Sequence, residues 1–210
     1  MFKILIADDH AIVREGIKKI LSEFSDIKVV NEAKTGKETI EKVRKEKLDL
    51  IILDISLPDR NGLDVLKQIK ELKPNLPVLI LSIHPEENYA IRTLKAGASG
   101  YLTKDKTPHE LIKAVKKIFK GGKYITPSLA EKLAYELSRK NEKPLHENLS
   151  DREYQVLCMI ASGKTIKKIA EELCLSEKTI STYRMRILEK MKMKNNAELI
   201  HYAIKHGLIK

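Results

Sequence analysis

Four short apolar runs, each closing on a polar residue, do most to limit what this chain can fold into. They are Phe2–Ala7, Leu50–Leu53, Val78–Leu81 and Ser99–Thr103, and they lead into Asp8-Asp9, Asp54, Ser82 and Lys104. Each run is apolar or β-branched and bounded by turn residues, so each reads as a buried strand. Stretches of helical period lie between them, expected over about 11–24, 36–47, 61–72, 86–96 and 108–120. Thr107-Pro108-His109-Glu110 announces the last of these with an N-cap, a proline at the first helical position and a glutamate three residues after the cap. Five βα units predict a doubly wound α/β fold, its five-stranded parallel sheet covered on both faces, which is why the strands show no polar alternation.

Such a sheet has its functional crevice outside the carboxyl ends of the strands. Taken singly, the polar residues there have ordinary readings. Asp8 and Asp9 could cap a helix, Asp54 could be a solvated strand end, Ser82 a turn residue and Lys104 a surface lysine. Their joint placement at the ends of the first, third, fourth and fifth strands is what no core requires. Clustered carboxylates repel, and a hard, oxygen-seeking cation such as Mg²⁺ relieves that cost. A carboxylate beside such a cation can attack phosphorus, an ammonium can steady the equatorial oxygens, and a short hydroxyl can bond the transferred group.

Beyond Gly121-Gly122 the character of the chain changes. One more amphipathic helix is expected over about 128–140, with Leu129, Leu133 and Leu137 on one stripe, and then a polar linker over 140–148 that contains Pro144. From Ser150 no strand signal appears. Ser150-Asp151-Arg152-Glu153 is a capping box opening a helix, and short helices follow over about 165–173, 176–192 and 196–206. The helix, turn and helix over 165–192 form a helix-turn-helix pattern, which spacing alone does not separate from a small helical bundle. The second of these helices turns Ile180, Ile187 and Leu188 inward. It offers Lys178, Ser181, Thr182, Arg184 and Met185 outward, side chains suited to phosphates and base edges in a major groove. Lys164, Lys168, Lys190, Lys192 and Lys194 suit phosphate contact.

The net charge of +11 sits unevenly: +5 on residues 1–122 (23 basic, 18 acidic), +1 on 123–147 (5 and 4) and +5 on 148–210 (12 and 7). The densest positive charge is therefore C-terminal, which suits a polyanion but also fits a general lysine bias. Neither a membrane span nor a secretory signal is visible. Cys158 and Cys174 lack a second Cys/His pair at zinc spacing and read as core thiols. These features together predict a cytoplasmic location.

Residues 1–122 resemble the receiver domain of two-component response regulators, a flavodoxin-like fold. The matching text is Ile6-Ala7-Asp8-Asp9-His10, Leu53-Asp54-Ile55-Ser56-Leu57-Pro58-Asp59-Arg60-Asn61-Gly62, Leu81-Ser82, and Ala98-Ser99-Gly100-Tyr101-Leu102-Thr103-Lys104. The resemblance implies that Asp54 accepts a phosphoryl group from a cognate sensor histidine kinase. It assigns Mg²⁺ to Asp8, Asp9, Asp54 and the backbone carbonyl of Ser56, the switch hydroxyl to Ser82 and the phosphate-binding cation to Lys104. Tyr101 matches the aromatic that turns inward with the switch, its alternative being a half-buried or interface tyrosine. Ser56 stands where many receivers have Met and Asp105 where many have Pro; Ser56 and His84 flank the site and bear on hydrolysis of the acyl phosphate.

Residues 148–210 resemble the DNA-binding domain of the NarL/FixJ (LuxR-type) regulators. The match runs through Leu149-Ser150-Asp151-Arg152-Glu153, Ala161-Ser162-Gly163-Lys164, Lys168-Ile169-Ala170, Leu175-Ser176-Glu177-Lys178-Thr179-Ile180 and Ile187-Leu188-Glu189-Lys190-Met191. Tyr183 replaces a common His. The implied DNA contacts are Lys178, Thr179, Ser181, Thr182, Arg184 and Met185, with Lys164 and Lys190 on phosphates. Residues 123–147 are left as a connector. The implied partners are the kinase, double-stranded promoter DNA and, once phosphorylated, a second copy of the chain. The expectation is a switch that takes part in its own phosphorylation, with no membrane partner, and not a turnover enzyme.

Overall fold

The computed structural model describes residues 1–138 and 144–209 and falls into two compact units, Met1–Lys132 and Leu133–Lys210. In the first unit, β1 (Phe2–Ala7), β2 (Ile27–Ala33), β3 (Leu50–Asp54), β4 (Val78–Ser82) and β5 (Gly100–Thr103) form one sheet in the order β2-β1-β3-β4-β5. Every neighbouring pair is parallel. The connecting helices are α1 (Ala11–Ser22), α2 (Gly36–Lys45), α3 (Gly62–Leu72), α4 (Glu86–Lys95) and α5 (Pro108–Phe119). Every residue of the central strands β3 and β4 is buried, as strands covered on both faces require.

The edge strand β2 is different. Its interior is half-exposed and carries Asn31 and Glu32, and a bulge shifts its register against β1 between Ile4 and Leu5. Local chemistry sets the helix starts. Thr35, Asn61 and Thr107 each accept a main-chain N–H from the first turn of α2, α3 and α5. Pro108 opens α5 as expected. The register Asp54↔Leu81 and Ser82↔Thr103 brings the ends of β3, β4 and β5 to one level.

The first unit runs past Gly121-Gly122. The Tyr124 N–H donates to the Ser99 carbonyl at 2.8 Å, making a parallel bridge with Gly100 on the outer edge of β5. Both Tyr124 and Leu129 are buried. The start of the expected connector is therefore part of the first unit's core. Helix α6 covers Pro127–Ser138, while residues 139–143 of the expected linker lie outside the described residues.

In the second unit, a short 3-10 helix (Leu145–Asn148) precedes α7 (Asp151–Ala161), α8 (Ile166–Glu172), α9 (Glu177–Met191) and α10 (Asn196–Lys205). The Ser150–Glu153 capping box is complete, with each side chain bonding the other residue's N–H. Cys158 is buried as expected, but Cys174 is exposed. It occupies the tight turn between α8 and α9 at φ 51°, so the pattern that made it a core thiol belongs to a loop. Among the described residues no helix is long and apolar enough to cross a membrane.

Candidate phosphoacceptor site and helix-turn-helix surface

The strand ends deliver their polar residues to one pocket. Asp8 and Asp54 are buried, 2% and 1% exposed, and the Lys104 ammonium lies between them, 2.7 Å from Asp8 Oδ2 and 2.6 Å from Asp54 Oδ2. Asp54 Oδ1 accepts the Ser56 N–H at 3.1 Å. Ser56 sits in a loop closed by its bridge to Asn61 and by the Gly62 N–H on the Ile55 carbonyl at 2.7 Å. Gly62 is required there, because a Cβ would meet the Asp54 carbonyl oxygen and come within 2.6 Å of Ile55 Cα. Burial pushes the Asp54 carboxyl above its ordinary range, with Lys104 pulling against it. Burial also disfavours the Lys104 charge, but Asp54 and Asp8 outweigh it and raise the lysine's pKa.

Asp8, Asp9, His10 and Asp54 offer donor atoms that all lie within 4.8 Å of one another. Asp9 is the more open of the acid pair, and His10 Nδ1 lies 2.7 Å from its Oδ1. Asp8 Oδ2 is buried and faces the Lys104 ammonium at 2.7 Å, with no neutral donor beside it. Three carboxylates converging on one pocket, two of them buried and sharing a single ammonium, fit a hard cation such as Mg²⁺.

Ser82 is fully buried, and its Oγ accepts the His84 N–H at 3.1 Å. Tyr101 is turned inward, 1% exposed, and its hydroxyl donates to the His84 carbonyl at 2.8 Å. The His84 ring reaches Ser56, with Nε2 3.2 Å from Oγ. Two residues on, Glu86 opens α4 and accepts a hydrogen bond from Thr126, whose Oγ also accepts the Leu129 N–H at the start of α6. A continuous set of contacts thus runs from the end of β4 to the first turn of α6. Sequence reasoning passed over Glu86 and Thr126, because only the return of residues 123–126 to the edge of β5 makes them neighbours.

In the second unit, Ile180, Ile187 and Met191 bury the inner face of α9, and Leu188 is half-buried. Lys178, Ser181 and Met185 are exposed; Thr179, Thr182 and Arg184 are half-buried. Several expected contact residues are tied to the protein itself. Arg184 Nε donates to Asn196 Oδ1 at 2.6 Å, Lys164 pairs with Glu172, and Lys190 lies 2.6 Å from the buried Glu153. Burial pushes the Glu153 carboxyl up, but Lys190 and the Ser150 N–H outweigh it and hold it below its usual range. Arg186 is exposed and was not singled out, although it lies four residues after Thr182 on the face begun by Lys178.

The response regulator receiver domain family matches residues 4–116, and the family of bacterial regulatory proteins of the luxR type matches residues 147–203. The chain belongs to the two-component response regulators, with a receiver domain followed by a LuxR-type regulatory domain. It is 35% identical to response regulator UvrY of Escherichia coli (strain K12) over 210 residues, covering 99% of this chain and 96% of that protein. It is 34% identical to response regulator GacA of Pseudomonas aeruginosa, covering 100% of this chain and 98% of that protein. Among solved structures it resembles RcsB from Salmonella enterica serovar Typhimurium, bound to promoter P1flhDC in the presence of phosphomimetic BeF₃⁻. That match has a TM-score of 0.61 and 29% identity, covering 96% of this chain and 97% of that one.

Proposed function

We propose that Asp54 is the phosphoacceptor of a switch controlling promoter binding by the second unit. The observation that carries this reading is the Lys104 ammonium held between two buried carboxylates at the carboxyl edge of the sheet. In that reading, an Asp54 oxygen attacks the phosphorus of a kinase phosphohistidine, the P–N bond breaks, and the imidazole departs with the bonding pair. Asp8, Asp9, Asp54 and the Ser56 carbonyl hold Mg²⁺, which neutralises the oxygens of the phosphoryl group when bound. Lys104 exchanges one carboxylate oxygen for a phosphoryl oxygen, so its charge stays paired throughout. The carboxylate's fate is covalent modification and not turnover, which makes the protein a switch in the cytoplasm and not an enzyme acting on outside substrates.

The acyl phosphate brings roughly −1.5 to −2 charges into the pocket near neutral pH. Ser82 Oγ, drawn to the new group, gives up the His84 N–H that it now accepts. The His84 carbonyl anchors Tyr101, and α4 begins two residues later, so the displacement reaches Glu86 and Thr126. The outcome is promoter binding through α9, as a homodimer addressing half-sites about one DNA turn apart. Lys178, Thr179, Ser181, Thr182, Arg184 and Met185 face the groove, and Lys164 and Lys190 exchange their carboxylate partners for phosphates. The structures of two RcsB dimers bound to two parallel DNAs, and of RcsB bound to promoter P1flhDC in the presence of BeF₃⁻, support this reading. Incubating the full chain with Mg²⁺ and acetyl phosphate tests it. Mass spectrometry should find one added phosphoryl group that is absent from Asp54→Asn; no gain, or the same gain in that variant, refutes it.

A further inference from the structure

Arg14 carries a charge that nothing above uses. It lies in the first turn of α1 and is 5% exposed, a condition that charged side chains accept only when paired. Its Nη1 donates to two successive carbonyls, those of Asp8 at 2.8 Å and Asp9 at 3.1 Å. Its Nε donates to Glu32 Oε2 at 2.8 Å, on the neighbouring edge strand. Glu32 is anchored in turn by Lys18, 2.6 Å away, and the two cations hold its carboxyl below the usual range. Among the described residues, neither the Asp8 nor the Asp9 carbonyl accepts a main-chain N–H.

We infer that Arg14 is a positioning residue for the cation site, fixing through the main chain which oxygen of Asp8 is left for the metal. The peptide unit is planar and trans, so a carbonyl and the next residue's N–H point in opposite directions. Drawing the Asp9 carbonyl to Arg14 therefore turns the His10 N–H the other way. That N–H lands on Asp8 Oδ1 at 2.8 Å. The same Oδ1 also lies 3.2 Å from His10 Nδ1, while Oδ2 is turned away from both His10 donors and faces the Lys104 ammonium at 2.7 Å. One guanidinium nitrogen thus sets two peptide planes, and the second plane sets the carboxylate. A lysine head at the same place cannot reach both carbonyls and Glu32 with fixed fork geometry.

This inference rests on the Mg²⁺ reading above, and the test separates the two. Mg²⁺ alone is titrated calorimetrically into the full-length wild type, Arg14→Gln and Arg14→Lys, each with its thermal transition recorded. Groups that orient metal ligands from behind typically contribute 10–100-fold in affinity, so Arg14→Gln should weaken Mg²⁺ at least about tenfold, with Arg14→Lys between it and wild type. Phosphoryl uptake from acetyl phosphate should return close to the wild-type rate once Mg²⁺ is saturating, because Asp54 and Lys104 are untouched. A purely structural role would lower the thermal midpoint and leave the half-saturating Mg²⁺ concentration in place; that result overturns the inference. Should Arg14→Gln fail to fold, Arg14→Lys decides, since it keeps the charge but cannot hold both carbonyls and Glu32 together: a weaker Mg²⁺ site supports the inference and an unchanged one overturns it. Absence of Mg²⁺ binding by the wild type would instead refute the metal reading itself.

Discussion

Lys104→Met keeps most of the side chain's length and apolar volume and deletes its charge. The wild-type ammonium lies 2.6–2.7 Å from two carboxylates that are almost fully buried. Removing one partner of such a buried group costs about 3–5 kcal/mol. The pocket is open on the Asp9 side, which places the loss near the lower end, about 3 kcal/mol. For a unit spanning Met1–Lys132, an unfolding entropy of about 2.1 cal/mol/K per residue converts that loss into a drop of roughly 10 °C in Tm. The pH dependence has a definite sign. Asp54 already has a folded pKa above its unfolded value, so its ionised form disfavours the fold, fully so above the folded pKa, and the penalty fades as pH falls through it. Without Lys104 that pKa rises further, so the deficit should be largest at neutral pH and shrink in acid, as pH falls through the folded value. Lys104's own contribution, from a raised pKa, is complete below its unfolded value and is lost only as alkaline pH passes the folded one. Calorimetric unfolding of the full chain should also show Mg²⁺ restoring much of the deficit. A loss that is the same at neutral and acid pH, or a Tm within about 2 °C of wild type, would refute the account of the pocket as two carboxylates held by one ammonium.

Gly62→Ala should cost about 3 kcal/mol or more and abolish phosphoryl uptake, because the new Cβ meets the Asp54–Ile55 backbone and cannot be relieved by a rotamer change; a wild-type melt would show that the loop can open freely. Glu153→Gln should destabilise the second unit by about 1 kcal/mol, the modest end because Lys190 is 41% exposed. With a folded pKa below the unfolded one, Glu153 contributes above the ordinary carboxylate range and loses that contribution as pH falls through the folded value, so the variant and wild type should converge in acid. For DNA, Lys178→Ala and Thr182→Ala should weaken binding to a selected promoter fragment without lowering Tm. Lys178→Ala should also reduce the log–log salt slope by about 1, and wild-type affinity in both variants would show that α9 does not read the groove.

What the sequence displayed follows the range of the forces involved. Strands buried on both faces must be apolar throughout, so β1, β3, β4 and β5 stood out as runs. The edge strand β2, half-exposed and bearing Asn31 and Glu32, has no such run; it was implied only by the count of βα units. Helix starts were readable where a cap is local, as at Thr107 and Ser150. Cys174 was misjudged as a core thiol although it falls between the helices expected to end near 173 and begin near 176, in a left-handed turn at the surface. Arg14, Glu86 and Thr126 gave no sign of their partners, since each bonds a group brought close by the sheet or by the return of the chain past α5, whereas His84 was placed beside the site with Ser56, which its ring reaches. Arg186 was legible from its spacing to Lys178 and Thr182 and was overlooked.

By itself, the sequence determined the order of strands and helices, the division into a parallel-sheet unit and a helical unit, and the types of side chain placed at the strand ends. Those follow from burial and capping, which act over a few residues. Only the tertiary structure decided that Lys104 bridges Asp8 and Asp54, that Arg14 holds the Asp8 and Asp9 carbonyls, and that Lys190 is paired with a buried glutamate. It also decided that Tyr124 pairs with the edge of β5 and is buried with Leu129 in the first unit. The contacts at the sheet depend on register between strands far apart in the chain, where a one-residue slip would move the groups and leave the local pattern unchanged, and the Lys190–Glu153 pair depends on the packing of α7 against α9.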